Sequence, residues 1–261
     1  MMRLREKAAI LQFLETDRLY AAYAIGDLEP GLFEKCEWFG AGEGPGAVTA
    51  LQAVSLRFSG LTPPALFLMG DAAGLRAILS NEGYPRETGD VCLTCRREHL
   101  EAAQEFYAVE APIAMWRMVL QREHFKPAEG QCIRLGPTDV GRLGELYQFG
   151  GGEAFHPRQV EHGVFYGVEA DGRLVSVAGT HLVSRTYGVA ALGNVFTHPA
   201  RRGWGYGAVT TSAVARDLAA MGIRDIVLNV SQANATAIRT YERLGFECYC
   251  PFVEGAATRR S

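Results

Sequence analysis

Two stretches in the second half of the chain decide its fold: NVFTHPARRGWGYGA at 194–208 and LNVSQANATAIRTYERLGF at 228–246. The first leads from an apolar strand, 189–197, through a glycine-rich turn into an amphipathic helix. The second leads from a buried strand, 223–230, into a helix whose apolar positions recur three and four residues apart. The sequence therefore predicts two successive strand-to-helix junctions.

The glycine-rich turn predicts an anion site. Gly203, Gly205 and Gly207 leave backbone N–H groups uncovered at a helix start, where orphan amides and the positive dipole end favour a pyrophosphate. Arg202 adds a formal positive charge. The G-x-G-x-G spacing differs from the G-x-G-x-x-G of dinucleotide-binding proteins, and the G-K-[ST] of a Walker loop is absent. A glycine-relaxed turn without a ligand is the alternative.

A predicted hairpin precedes these junctions. The apolar runs 164–170 and 173–183 flank Asp171-Gly172, and Asp-Gly supplies the positive φ angles of a tight two-residue turn. The strands before the glycine turn therefore belong to antiparallel hairpins rather than to a β-α-β unit.

The first half reads as a smaller α/β unit without a catalytic signature. We predict strands at 50–58 and 65–70, followed by a helix at 71–81 with Asp71 as its N-cap. A Gly/Pro loop is expected at 41–48. The polar, Pro- and Gly-containing segment 123–131 predicts a boundary between residues 125 and 126.

Composition excludes several protein classes. The 261 residues are 48% hydrophobic and 21% charged, with a net charge of −3, which argues against a nucleic-acid-binding role. Because no apolar run of about 18 residues exists, we expect no membrane span. The charged N-terminus does not resemble a cleaved signal, so a cytoplasmic location is expected. The six cysteines are then reduced, and their C-x-x-C and C-x-C pairs do not predict a metal site.

The two stretches resemble the GNAT superfamily of acetyl-CoA-dependent N-acetyltransferases. The matching pattern is V-x-x-x-P with R-x-x-G-x-G, then N-x-x-A-x-x-x-Y-E-x-L-G-F about 30 residues later. The resemblance covers about 131–252. It implies an α/β (α+β) fold with a mixed, mostly antiparallel sheet flanked by helices. The acetyltransferase domain is expected at 126–261, after a smaller N-terminal α/β domain at 1–125. That first domain could be a degenerate second copy, as in tandem or glycine-N-acyltransferase-like members.

The resemblance also implies how acetyl-CoA would be held. Backbone groups of the strand end would pair with the pantetheine arm like an added strand. Amides of the glycine turn would bind the pyrophosphate, and the amine would attack the acetyl carbonyl directly, with a backbone N–H near Val195 as oxyanion donor. The residues so assigned are Val195, Phe196, Thr197, Arg202, Gly203, Trp204, Gly205, Tyr206, Gly207, Ala208 and Asn234.

Tyr241 is the expected catalytic acid. In the resemblance it lies near the leaving sulfur and protonates the thiolate. The alternative is a half-buried core aromatic. Asn234 could equally serve as a helix N-cap, and both of its roles can hold at once. Trp204 and Tyr206 are expected to cover the helix start, with adenine stacking as the alternative.

The general base is not assigned. Many family members carry a Glu on the strand before the turn, but residues 191–195 here contain no carboxylate. His181 is a weak candidate, because imidazole titrates near neutral pH, and a structural histidine is the alternative. Glu153 and His156 lie in a loop expected over the acceptor site. The substrate amine could also arrive deprotonated.

The expected function is transfer of an acetyl group from acetyl-CoA to a primary amine of a small molecule or peptide. The protein would act as a monomer or homodimer, without metal, nucleic acid or membrane. The missing strand carboxylate keeps open a non-catalytic CoA-binding or regulatory module. A nicotinamide-dependent oxidoreductase is a third reading that the loop spacing disfavours.

Overall fold

A computed structural model describes residues 1–42, 51–85, 89–152 and 154–260 of the chain. It forms two compact units, one made of Met1–Trp116 with Cys250–Ser261 and the other of Arg117–Tyr249. Most of the predicted loop at 41–48, and Glu153, lie outside the described residues.

The first unit is a sheet with helices, formed around a core that includes Leu66, Leu68, Leu75 and Ile78. Its elements are β1 (Met2–Leu4), α1 (Lys7–Leu14), α2 (Ala22–Gly26), α3 (Pro30–Phe33), β2 (Cys36–Gly42), β3 (Leu51–Phe58), β4 (Ala65–Gly70), α4 (Ala72–Leu79), β5 (Asp90–Cys95), α5 (Leu100–Gln104) and the beginning of β6 (Tyr107–Leu120). The strand order is β1-β2-β3-β4-β5, with β4 and β5 parallel.

The second unit has a sheet of order β11-β10-β9-β8-β7, and its core contains Leu143, Leu146, Phe165 and Val177. Its elements are β7 (Ile133–Leu135), α6 (Val140–Tyr147), α7 (Pro157–His162), β8 (Phe165–Ala170), β9 (Arg173–Ser184), β10 (Val189–Thr197), α8 (Tyr206–Ala220), β11 (Asp225–Ser231), α9 (Ala235–Leu244) and the beginning of β12 (Phe246–Arg259). β10 and β11 are parallel, whereas the pairs from β7 to β10 are antiparallel. The predicted mixed, mostly antiparallel sheet flanked by helices is confirmed.

Both units follow the same order of elements. Apart from the short α3, each runs strand, two helices, three strands, helix, strand, helix, strand. In each unit the fourth and fifth strands pair in parallel over four residues, Ala65–Leu68 with Cys92–Cys95 and Val189–Leu192 with Asp225–Leu228. The sequence shows no repeat by eye, so the correspondence is one of backbone topology.

The compact units assign the C-terminal residues differently from the domains predicted from the sequence. Residues 250–261 belong to the first unit, because Val253–Thr258 of β12 pair antiparallel with Asp90–Cys95 of β5. A strand can be contributed to a sheet from a distant part of the chain, so this pairing does not by itself decide the domain bounds. The assignment of domains to 1–125 and 126–261 stays a prediction.

Local sequence signals fix several element ends. Asp71 caps α4 as predicted, its carboxylate accepting the Gly74 N–H at 2.6 Å. The hairpin between β8 and β9 turns at Asp171 and Gly172, with φ of 53° and 73°. Gly245 ends α9 with a φ of 97°, and a Cβ there would lie 2.4 Å from the His124 carbonyl oxygen. Only glycine combines that conformation with that close approach.

We expect Gly245→Ala to destabilise the protein more than Gly172→Ala. Both positions have positive φ, which costs about 1–2 kcal/mol for a residue with a Cβ, but nothing lies within 4 Å of a Cβ at Gly172. The additional clash at residue 245 should raise its loss of unfolding free energy above about 3 kcal/mol. Urea denaturation of both variants measures the difference, and equal losses would contradict the clash.

Candidate functional site

The two parallel strands of the second unit, β10 and β11, stop pairing about halfway along their length. In the register of the described residues, β10 and β11 pair only through Leu192 and Leu228. β10 nevertheless continues to Thr197 and β11 to Ser231. Beyond the last pair the two strands do not bond to each other, which leaves a gap in the pairing where an extended ligand can add to β10.

A bulge lies at the start of this gap. The pairing of β10 with β9 shifts register between Gly193 and Phe196. Asn194, inside the shift, has a φ of 52°. Such a bulge leaves residues unpaired and redirects the backbone groups beside it. Val195, near which the oxyanion donor is predicted, follows directly and is half-buried.

The glycine turn leads to an uncapped helix N-terminus. Gly203 and Gly205 have φ of 83° and 81°. At either residue a Cβ would have no heavy atom within 4 Å. Gly205 is the N-cap of α8 and has no side chain to cap it. Among the described residues, the amides of 203–207 have no backbone acceptor, whereas the Ala208 N–H donates to the Gly205 carbonyl at 3.0 Å. The amides of 203–207 are therefore the donors at this turn that are available to a ligand.

Charged and aromatic side chains surround the turn. Arg202 is exposed, and its Nε donates to the Thr197 carbonyl at 3.2 Å, which joins the end of β10 to the turn. Trp204 is 63% exposed, with its ring 6.1 Å from that of Tyr206. The guanidinium of Arg201 lies 5.7 Å from the Trp204 ring and pairs with Asp171. The turn thus carries positive charge beside its free amides.

The second junction places Asn234 and Tyr241 on one helix. Asn234 is exposed at the N-cap of α9, where its Oδ1 accepts the Ala237 N–H at 3.1 Å, leaving the amide Nδ2 free of that bond. Tyr241 is buried, with its ring 6.0 Å from that of Phe246. Burial raises the pKa of Tyr241 to about 12, so its hydroxyl is protonated at neutral pH.

The candidate base residues differ in their surroundings. The His181 imidazole packs on Gly193 of β10, since a Cβ at residue 193 would lie 2.0 Å from its Nε2. Burial lowers the pKa of His181 to about 4, so it is neutral at physiological pH and a weak base. His156 is exposed and caps α7, its Nδ1 accepting the Arg158 N–H at 3.2 Å.

Sequence reasoning missed three residues next to the bulge: Asn194 itself, Tyr147 and Gln159. The Tyr147 hydroxyl donates to the Asn194 carbonyl at 2.9 Å, and Asn194 Nδ2 donates to Gln159 Oε1 at 3.0 Å. One signal was available, because asparagine is depleted inside strands and tolerates positive φ. No periodicity marks the other two.

Comparisons with known proteins agree with this geometry. Residues 138–246 match the model of the acetyltransferase (GNAT) family. A mycothiol acetyltransferase of Mycobacteroides abscessus is 34% identical over 79 residues, which are 29% of this chain and 27% of that protein.

Two solved structures share the fold. An acetyltransferase of the GNAT family from Novosphingobium aromaticivorans, described as putative in its name, is 22% identical, with a TM-score of 0.57 over 75% of this chain and 84% of its own. A tandem GNAT protein of the clavulanic acid biosynthesis pathway is 14% identical, with a TM-score of 0.56 over 99% and 97%. In the described part of the chain, no helix is both long and apolar enough to cross a bilayer.

The lowered pKa of His181 predicts a pH dependence of stability. Between about 6.5 and about 4 the unfolded chain takes up a proton that the folded imidazole does not, so the unfolding free energy should fall as the pH is lowered through this range. Urea denaturation between pH 4.5 and 7.5 measures it. His181→Gln should lack this part of the dependence, and an NMR midpoint for His181 near 6.5 would contradict the expectation.

Proposed function

We propose, on the premise that residues 138–246 belong to the acetyltransferase (GNAT) family, that the chain transfers an acetyl group from acetyl-CoA to a primary amine of a small molecule or peptide. The observation that carries the proposal is the proximity of a strand end and a helix start in the second unit. One is the part of β10 beyond its last pair with β11, and the other is the start of α8, where the amides of residues 203–207 have no backbone acceptor.

The backbone groups suit the two halves of acetyl-CoA. The pantetheine arm is an extended chain with amide groups, and Val195, Phe196 and Thr197 would pair with it as with an added strand. The pyrophosphate is an anion, and the amides of residues 203–207 would bind it at the positive end of α8, with Arg202 adding charge. Asn234 Nδ2 would contact the arm near the thioester.

In the proposed reaction the protein aligns the amine with the acetyl group and supplies no nucleophile of its own. The neutral amine attacks the acetyl carbonyl carbon, and the Val195 N–H donates to the oxygen as negative charge develops there. When the C–S bond breaks, the electron pair stays on sulfur and the thiolate takes a proton from Tyr241. The amine gives up its extra proton to water, and water returns a proton to the Tyr241 phenolate. His181 contributes little as a direct base, because its imidazole is only weakly basic.

We further propose that the first unit is a degenerate copy without its own phosphate site. In the shared register, Gly70 corresponds to Asn194, and β4 ends there. Asp71 then caps α4 with a carboxylate, so the helix start that would bind an anion already carries a negative group. The second unit instead continues its strand to Thr197 and inserts the glycine turn.

The proposal includes a cytoplasmic location, and monomer or homodimer stays a prediction for its assembly. The six cysteines, all within the described residues, form no disulfide, which suits a reducing compartment.

Calorimetry with acetyl-CoA and a thiol-release assay with a broad amine panel test the proposal together. We expect one acetyl-CoA bound per chain and CoA release that depends on an amine. Binding without turnover on any amine would favour the non-catalytic CoA-binding module. No binding at millimolar acetyl-CoA would overturn the proposal, and two bound molecules would overturn the reading of the first unit.

Gly205→Asp should abolish acetyl-CoA binding in the calorimeter. Its carboxylate would stand at the N-cap of α8 and repel the pyrophosphate. Gly205→Asn is the matched control, because asparagine has nearly the same shape, tolerates positive φ and carries no charge. We expect it to retain most of the affinity. Equal binding by the two variants would argue against an anion at this turn.

Tyr241→Phe should lower kcat by about 100-fold, the low end of the range for loss of a general acid, with little change in KM for acetyl-CoA. Steady-state thiol release with an amine accepted in the panel measures both constants. Tyr166→Phe is the control, because that hydroxyl bonds Asp217 on α8, away from the gap. An unchanged kcat in Tyr241→Phe would remove the acid role.

A further inference from the structure

The side-chain amide of Gln159 joins two parts of the second unit. Its Oε1 accepts the Asn194 Nδ2–H at 3.0 Å and the His156 backbone N–H at 2.9 Å. Its Nε2 donates to the Ala154 carbonyl at 3.2 Å. One carboxamide on α7 therefore connects the bulge of β10 to the segment 154–156 that precedes the helix.

The bulge is held from other directions as well. The Asn194 carbonyl accepts the Tyr147 hydroxyl at 2.9 Å, and its Nδ2 also lies 3.4 Å from the Thr180 carbonyl on β9. Tyr147 packs against Phe155 and Phe196, and burial raises its pKa above the usual range, so it remains a donor. These contacts, from α6, α7 and β9, keep a non-glycine residue in the left-handed region.

The conformation of Asn194 sets the direction of the next backbone N–H. The peptide between Asn194 and Val195 turns with the ψ of Asn194, so any relaxation of the bulge rotates the Val195 N–H within the gap. The proposed oxyanion donor must lie within about 3 Å of the carbonyl oxygen to act. A misplacement of about 1 Å can cost 100-fold in rate.

We infer that Gln159 is a positioning residue for acetyl transfer, fixing Asn194, and through it the Val195 N–H, while ordering the segment 154–156 on the amine side. The inference rests on the proposed function. Gln159 couples the ordering of the segment 154–156 to the orientation of the Val195 N–H. The coupling arises because the same amide oxygen accepts from His156 and from Asn194.

Three variants separate the parts of this bridge. Gln159→Glu keeps an oxygen that accepts from Asn194 and His156, but it loses the donor to Ala154. Gln159→Leu loses all three bonds. Asn194→Gly keeps the positive φ at no steric cost and removes only the side chain. Gln148→Leu, the same change on an exposed residue just after α6, is the matched control.

The test uses acetyl-CoA labelled with 13C at the acetyl carbonyl, whose chemical shift reports hydrogen bonding to the oxygen without needing an acceptor amine. We expect a downfield shift on binding to the wild type, Gln159→Glu and Gln148→Leu. In Gln159→Leu and Asn194→Gly the signal should move toward that of free acetyl-CoA. With an amine from the panel, these two variants should lose about tenfold or more in kcat with little change in KM for acetyl-CoA.

The results of these measurements distinguish failure of the positioning role from failure of the proposed function. A bound carbonyl signal unchanged in Gln159→Leu and Asn194→Gly would overturn the positioning role while leaving the proposed function in place. If Gln159→Leu fails to fold by circular dichroism, Asn194→Gly and Gln159→Glu give the same contrast. Calorimetry that shows no acetyl-CoA bound by the wild type would overturn the proposed function, and the inference with it.

Discussion

The parallel pairing of β10 with β11 stops after four residues, and the site depends on that interruption. A parallel pair that continued to the strand ends would satisfy its own backbone groups and leave nothing for a ligand. Because it stops at Leu192 and Leu228, the two strands do not bond to each other beyond that point. The bulge at Asn194 lies just beyond the last pair.

The interruption is maintained by side chains outside the two strands. Tyr147 and Gln159, on helices α6 and α7, precede Asn194 by 47 and 35 residues, and both bond to it. Strained backbone persists only where surrounding contacts over-determine it. Helices α6 and α7 therefore do more than cover the sheet, because their side chains hold the backbone conformation of Asn194 just beyond the last pair of β10 with β11.

The first unit shows the same order of elements without the same opening. Its fourth strand ends at Gly70, and Asp71 fills the start of the next helix with its own carboxylate. An acidic N-cap stabilises its own helix, whereas an open glycine turn leaves the helix N-terminus exposed. The two units thus differ at the position that decides whether a helix start is available to an anion.

The sequence by itself determined the elements whose signals are local: the Asp171-Gly172 hairpin, the Asp71 cap, the glycine turn at 203–207 and the helix that ends at Gly245. These depend on residues a few positions apart, whose φ preferences and capping bonds act without the rest of the fold. The two motif stretches also indicated the mixed sheet and a resemblance to the acetyltransferase (GNAT) family, whose model matches residues 138–246. The tertiary structure alone decided the repeat of topology, the return of β12 to β5 and the contacts around Asn194. Those depend on hydrogen bonds between residues far apart in the chain, such as Gln159 with Asn194, for which no periodicity or spacing exists to be read.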